Sequence, residues 1–149
     1  MRQPGIAAAN NRTEIVTVLS ISPLEPDHTL LESIIRHSRW SLFKADSLAS
    51  ALSILRRHEI SVVLCERDLQ PGRWTDILDH LRELDRPPAL IVTSRLADER
   101  LWAEALNLGA WDVLAKPFDQ REVIHGIRIA WQHRRDRMRI PLQAMSVAS

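Results

Sequence analysis

Short apolar runs alternate along the chain with longer segments whose apolar residues recur at helical spacing. The first run, Glu14 to Ile21, is rich in β-branched residues, as expected of a buried parallel strand. Four more runs of this kind follow, at Trp40 to Lys44, Ile60 to Cys65, Ala89 to Thr93 and Trp111 to Ala115. The pattern therefore predicts five strands.

The segments between these runs predict helices. The first opens at Pro26-Asp27 and ends near Ser38. The apolar positions of the next three are Leu48, Ala51, Leu52 and Leu55; Ile77, Leu78, Leu81 and Leu84; and Leu101, Ala105 and Leu108. Gly109 supplies a left-handed end for the fourth helix. The fifth opens at Asp119 with Glu122 at capping-box spacing, and its periodicity fades beyond Asp136.

Strands that alternate with helices of this length predict an α/β fold, in which a doubly wound parallel sheet is covered on both faces. Such sheets place their functional sites at the carboxyl ends of the strands. We expect one domain over residues 14–134, after a flexible leader at 1–13. Residues 135–149 are expected to form a tail without an output domain.

Composition narrows the class of protein. The chain has 149 residues, of which 45% are hydrophobic and 26% charged, and its net charge is +1. These values indicate one globular core and no dominant field for nucleic acid or membranes. A lone cysteine, Cys65, excludes a disulfide framework and suits a reducing compartment. With no long apolar stretch for export or spanning, we expect a cytoplasmic protein.

The residues just after strands 1, 3, 4 and 5 are the candidates for a site. They are Ser22-Pro23, Glu66-Arg67, Ser94 and Lys116-Pro117. The segment Asp112-Val-Leu-Ala-Lys-Pro-Phe118 closely resembles the Lys-Pro signature of response-regulator receiver domains. Residues 89–94, 97–99 and 104–110 extend this resemblance, which covers residues 14–134. It implies a flavodoxin-like fold with five helices and strand order 2-1-3-4-5.

The same resemblance implies a phosphorylation pocket whose key residues are replaced. In the family, two acidic residues after strand 1 hold magnesium, and here Ser22 and Pro23 occupy those positions. Magnesium prefers carboxylate and water oxygens, so we expect no magnesium site, no metal, no cofactor and no catalysis. Val113 falls at the family's aromatic switch position, which puts the usual switching rotation in doubt.

The acceptor position has two possible registers. Anchoring on the strand gives Glu66, which we prefer, whereas anchoring on Pro71 gives Arg67, and neither is an aspartate. The longer Glu66 side chain points toward Ser94 and Lys116 and either imitates a phosphorylated aspartate or is simply solvated. If Glu66 imitates a phosphorylated aspartate, its single negative charge is smaller than the roughly −1.5 to −2 of a phosphate. Because strands 3 and 5 end at neighbouring carboxyl edges of the sheet, we expect the charged groups of Glu66 and Lys116 to lie within salt-bridge reach. Exposed pairs contribute only about 0 to 1 kcal/mol, so Glu66→Gln should change stability little and alter conformation or partner binding more.

Other chemistries have less support. The six histidines show no ligand spacing, and one cysteine cannot build a zinc site. No nucleotide-binding loop or nucleophile elbow occurs, although a small-molecule-binding flavodoxin-like protein stays an alternative. Arginines crowd the end of the chain, at positions 128, 134, 135, 137 and 139. Overall neutrality favours a solvated helix end there over nucleic-acid binding.

The sequence therefore favours a stand-alone pseudo-receiver that acts by protein contact. Its expected partner is a histidine kinase, a downstream target or a second copy in a homodimer, and not a membrane. The alternative is a phosphorylatable regulator with an atypical acceptor. Trp102 lies off the inward stripe of the fourth helix, and Trp111 shares a strand face with Val113. By resemblance, Trp102 and Trp111 lie near the face that receivers use for dimers and targets, so we predict an interaction surface there.

Overall fold

The computed structural model describes residues 15–36 and 38–148, with side chains described up to Met138. Its strands are β1 (Thr17–Ile21), β2 (Ser41–Ala45), β3 (Val62–Glu66), β4 (Ala89–Ser94) and β5 (Asp112–Ala115). Its helices are α1 (Glu25–Ile35), α2 (Leu48–Arg57), α3 (Trp74–Arg82), α4 (Glu99–Leu108) and α5 (Gln120–Ala148). The strands form one parallel sheet in the order β2-β1-β3-β4-β5, which confirms the predicted fold class.

The sheet is covered by helices on both faces. Alternate residues of each central strand enter different cores: Val63 and Cys65 of β3 face α2, α3 and α4, whereas Val62 and Leu64 face α1 and α5. Successive side chains of a strand point to opposite faces, so a strand buried on both sides reads as an unbroken apolar run. This arrangement explains why the central strands appear in the sequence as unbroken apolar runs.

Two predicted helix ends are confirmed. Gly109 follows α4 with φ of 119°, and its N–H donates to the carbonyls of Ala105 and Leu106. At the start of α5, the N–H of Glu122 donates to Asp119 Oδ2 over 3.0 Å. These hydrogen bonds satisfy backbone groups that a helix terminus leaves unpaired.

Two predicted side-chain positions around β5 are wrong. Trp111 precedes the strand, which begins at Asp112, so the two-residue period does not apply to it. Val113 is buried with α2, α3 and α4, whereas Trp111 packs against the other core and does not share its face. Leu108 was placed on the inward stripe of α4, but it is 42% exposed because it occupies the last residue of the helix.

The last helix runs farther than its apolar periodicity indicated. The backbone is helical through Ala148, so residues 135–148, predicted to form a tail, continue the last helix. Arg134, expected at a solvated helix end, is buried. Its guanidinium donates to the carbonyls of Arg86 and Pro87, at 3.1 Å each, and to Glu59 Oε2 over 3.2 Å. A polar side chain thus anchors α5 where the apolar signal ends.

The predicted leader at residues 1–13 lies outside the described residues. Within the part of the chain that is described, no helix combines the length and apolar character needed to cross a lipid bilayer.

Two glycines, Gly109 at the end of α4 and Gly126 within α5, provide a test of stability. We expect Gly109→Ala to lower the free energy of unfolding by about 1 to 2 kcal/mol, because φ there is strongly positive. The new Cβ would also meet Arg82 Nη2 at 2.7 Å and disturb its bond to the Leu108 carbonyl. Urea denaturation of both proteins measures the difference.

Gly126→Ala is the matched control. Gly126 is inside α5, and a Cβ there would meet only Leu114 Cδ2 at an ordinary 3.8 Å. Alanine is the better helix former, so this variant should gain about 0.5 to 1 kcal/mol. Equal effects of the two substitutions would contradict the capping role of Gly109.

Candidate functional site

A cleft of about 600 Å³ opens at the carboxyl ends of the strands. The parallel register places Glu66 of β3 opposite Thr93 of β4, and Ser94 opposite Ala115 of β5. The loops after four strands therefore meet at one edge of the sheet. The residues that line the cleft are Pro23, Leu24, Glu66, Asp68, Ser94, Arg95, Leu96 and Lys116.

Lys116 is the centre of this cleft. Its side chain is only 6% exposed, and its Nζ donates to Asp27 Oδ2 over 2.8 Å and to Glu66 Oε1. Burial opposes the charged ammonium, but the hydrogen bonds and negative charges of Asp27 and Glu66 outweigh it and raise the pKa of Lys116. A raised folded-state pKa means that Lys116 stabilises the fold through neutral pH. This contribution is lost as the pH rises through that pKa.

Glu66, and not Arg67, points into the cleft. Its second carboxylate oxygen accepts the N–H of Asp68 over 2.7 Å, so both of its oxygens have partners. The Arg67 side chain lies outside, with its Nε 3.9 Å from Asp68 Oδ1. Because Glu66 is buried, the stability estimate for a solvent-exposed pair does not apply.

Asp27 completes the cluster, and the sequence analysis missed it. It was used only as part of the Pro26-Asp27 helix start, yet its carboxylate reaches Lys116 from the first turn of α1. Ser22 holds it there: the Ser22 hydroxyl donates to Asp27 Oδ2 over 2.7 Å and accepts the N–H of Leu24 over 3.1 Å. A carboxylate one helical turn beyond a strand end is the signal that could have identified Asp27.

A buried histidine fixes the loop that carries Ser22. His28 Nε2 lies 2.9 Å from the Ser22 carbonyl, and Nδ1 lies 2.9 Å from the Ser20 hydroxyl. A carbonyl only accepts hydrogen bonds, so Nε2 carries the proton. The imidazole therefore joins β1 to α1 and orients the Ser22 end of the cluster.

The remaining predicted site residues differ in whether they line the cleft around Lys116. Ser94 and its neighbour Thr93 are both buried in β4, and Ser94 lines the cleft, where its hydroxyl accepts the N–H of Leu96 over 3.0 Å. Pro23 lies at the rim. Val113 is buried in the sheet beside Val92, away from the cleft lining. Trp102 is 44% exposed on α4, while Trp111 is only partly exposed and stacks on His133.

The donor set does not fit a magnesium ion. Asp27 Oδ2 is shared by the Ser22 hydroxyl and the Lys116 ammonium, and both oxygens of Glu66 are bonded within the chain. Magnesium needs several free oxygens in octahedral geometry, and Pro23 supplies no side-chain ligand. A cation would have to displace the lysine that already neutralises these carboxylates.

Comparisons with known proteins agree on one family. Residues 27–128 match the model of the response regulator receiver domain, a match that begins after Ser22 and Pro23. No curated protein sequence matches significantly.

Solved receiver domains share the fold at low sequence identity. A signal receiver domain from Vibrio parahaemolyticus is 16% identical with a TM-score of 0.77, over 85% of this chain and 98% of that one. The receiver domain of an HD domain-containing protein from Pseudomonas fluorescens Pf-5 is 22% identical with a TM-score of 0.75, over 83% and 92%. A CheY-like receiver from Methanospirillum hungatei is 15% identical with a TM-score of 0.74, over 83% and 99%.

Removal of the buried ammonium should be costly. We expect Lys116→Met to lower the free energy of unfolding by about 3 to 5 kcal/mol at neutral pH, because it leaves the buried carboxylate of Glu66 and the partly buried carboxylate of Asp27 facing each other without a counter-charge. Combining it with Asp27→Asn and Glu66→Gln removes that repulsion and should restore much of the loss. Chemical denaturation of the single and triple variants measures both effects.

The other lysine of the chain provides the control. Lys44 lies 3.6 Å from Glu32 in an exposed pair, so Lys44→Met should cost no more than about 1 kcal/mol. If Lys116→Met costs as little as Lys44→Met, the buried cluster does not have the energetic role assigned to it.

Proposed function

The chain belongs to the response regulator receiver domain family, and we propose that it is a pseudo-receiver which signals through protein contact without aspartyl phosphorylation. One observation carries this proposal. The lysine at the end of β5, which resembles the phosphate-binding lysine of receivers, is enclosed by Asp27 and Glu66 of its own chain. The cleft thus already contains the anionic partners that a phosphoryl group would replace.

The charges of the cleft oppose phosphoryl transfer. Asp27 and Glu66 carry one more negative charge than Lys116 neutralises, and a phosphoryl group adds about 1.5 to 2 further negative charges. In a buried site this repulsion is weakly screened. Ser22 and Pro23 replace a metal-binding acidic pair, so we expect no metal ion to offset it, and Arg95 is the one cation besides Lys116 among the described residues that line the cleft.

Glu66 holds the cleft in a single arrangement. Its carboxylate extends one methylene farther than an aspartate would, contacts Lys116 and accepts the N–H of Asp68. This bond supports a role for Glu66 as a permanent, weaker substitute for a phosphorylated aspartate. Val113, a small aliphatic residue buried in the sheet, offers no ring to rotate between states. The proposed domain therefore presents a constitutive surface and does not switch.

We propose that this surface lies on α4. Trp102 and Leu106 are four residues apart, on the same side of the helix, and both are exposed. Leu108 adds a third exposed apolar side chain at the helix end. We propose that a target protein, a kinase or a second copy of the chain binds this apolar face. Tryptophan is a frequent energetic anchor of such contacts.

The proposed absence of aspartyl phosphorylation is tested with a small phosphodonor. After incubation with acetyl phosphate and magnesium, we expect the intact mass of the protein to be unchanged, because the cleft lacks both an aspartate acceptor and a metal site. A magnesium-dependent gain of one phosphoryl group would instead establish the atypical-acceptor alternative.

A restored variant shows whether the assay can detect phosphorylation on this scaffold. Ser22→Asp, Pro23→Asp and Glu66→Asp together re-create the family pattern at the strand ends. This variant should gain a phosphoryl group, and adding Lys116→Met to it should reduce the gain.

The surface is tested by truncating its tryptophan. We expect Trp102→Ala to weaken self-association or partner binding, measured by analytical ultracentrifugation, by about tenfold or more, as for an interface anchor. The thermal midpoint should change little, since the ring is 44% exposed. Leu30→Ala, at a 39% exposed position on α1, is the control and should leave association intact. A large loss of stability with unchanged association would place Trp102 in the core.

A further inference from the structure

A second cavity, of about 470 Å³, lies at the opposite edge of the sheet from the Lys116 cleft. It is formed where the chain enters β4 and β5, between the end of α3 and the late part of α5. Leu81, Leu90 and Trp111 supply apolar walls. Polar and apolar groups both line it, and a concave space of this size is typical of small-molecule sites.

The charged side chains around this cavity have one sign. Arg82 and Arg137 line it together with the imidazole of His133, and none of the described residues that line it carries a carboxylate. Arg82 is partly compensated, because it donates to the Leu108 carbonyl and lies 3.8 Å from Asp79. Arg137 is exposed at the cavity and is the cation best placed to meet a ligand.

An aromatic platform lies beside these cations. The rings of Trp111 and His133 stack with centroids 4.0 Å apart and planes inclined by 19°. Burial and then the positive charge of Arg137 lower the pKa of His133, with Asp136 partly opposing them. The imidazole is therefore neutral at pH 7 and stacks without bringing a second full charge to the platform.

We propose that this cavity binds a small organic anion with a flat apolar body, its ring system against Trp111 and its acid group at Arg137. The Lys116 cleft is less suited to such a ligand, because Glu66 and Asp68 contribute negative charge to its lining. The proposal is independent of the pseudo-receiver function, since no residue of the Asp27, Glu66 and Lys116 cluster takes part.

The probe is 8-anilinonaphthalene-1-sulfonate, a fluorescent aromatic anion. We expect saturable binding to the folded chain and a rise in the thermal midpoint, since a ligand specific for the folded state stabilises it. The His133 ring signals in NMR spectra should shift with the same concentration dependence. Arg137→Gln should raise the dissociation constant about tenfold, as expected for loss of a charge-assisted contact.

Two matched variants locate the bound probe. Arg121→Gln removes the same charge from the first turns of α5, away from the cavity, and Arg95→Gln removes it from the Lys116 cleft. Neither should change the dissociation constant. If Arg95→Gln weakens binding and Arg137→Gln does not, the anion binds at the other edge and the proposal is wrong.

A neutral analogue tests the class of ligand. N-phenyl-1-naphthylamine has a similar ring system without the sulfonate, and we expect it to bind at least tenfold more weakly, a difference of about 1.4 kcal/mol. Equal affinity for both probes would show that the cavity does not select an anionic ligand, which contradicts the proposal. Fluorescence without a rise in the thermal midpoint would overturn the proposed site altogether.

Discussion

The buried ammonium of Lys116 is the constraint on which the carboxyl edge of this sheet depends. A charge removed from water is costly unless opposite charges and hydrogen bonds surround it. Asp27 and Glu66 meet that requirement from α1 and from the end of β3, so one side chain joins three separate parts of the chain. Ser22 and His28 fix the α1 side, and the Asp68 N–H fixes the β3 side. The geometry of the cleft follows from satisfying this single cation.

The same cluster is the basis for our proposal that this chain signals without aspartyl phosphorylation. A receiver fold brings strand ends together whatever their side chains are, and function depends on those side chains. Here the lysine is kept, while its partners are carboxylates of the chain itself. The result is a site that is structurally complete without a ligand. The binding sites that we propose are instead the exposed apolar residues of α4 and the basic cavity beside Trp111.

Much of the fold was predictable because its signals are local. Five apolar runs matched the five strands, and Gly109 and Asp119 identified helix ends through backbone geometry and a side-chain cap. The errors arose where packing replaced periodicity. Trp111 lies just outside its strand and turns to the other core. Helix α5 continues where its apolar pattern fades, and there Arg134 binds the carbonyls before β4.

The sequence by itself determined the order of elements, the strand-end positions and the replacement of the acidic pair by Ser22 and Pro23, because these depend on residue type and spacing alone. Only the tertiary structure decided which charges meet. Asp27 and Lys116 are 89 residues apart, and Glu66 and Lys116 are 50 residues apart. Their contact depends on parallel strand register and on the entry angle of α1. The sequence suggested a solvent-exposed ion pair, but in the folded chain these side chains are largely shielded from water. Their shielding depends on how the folded chain packs around them, which the sequence pattern does not reveal.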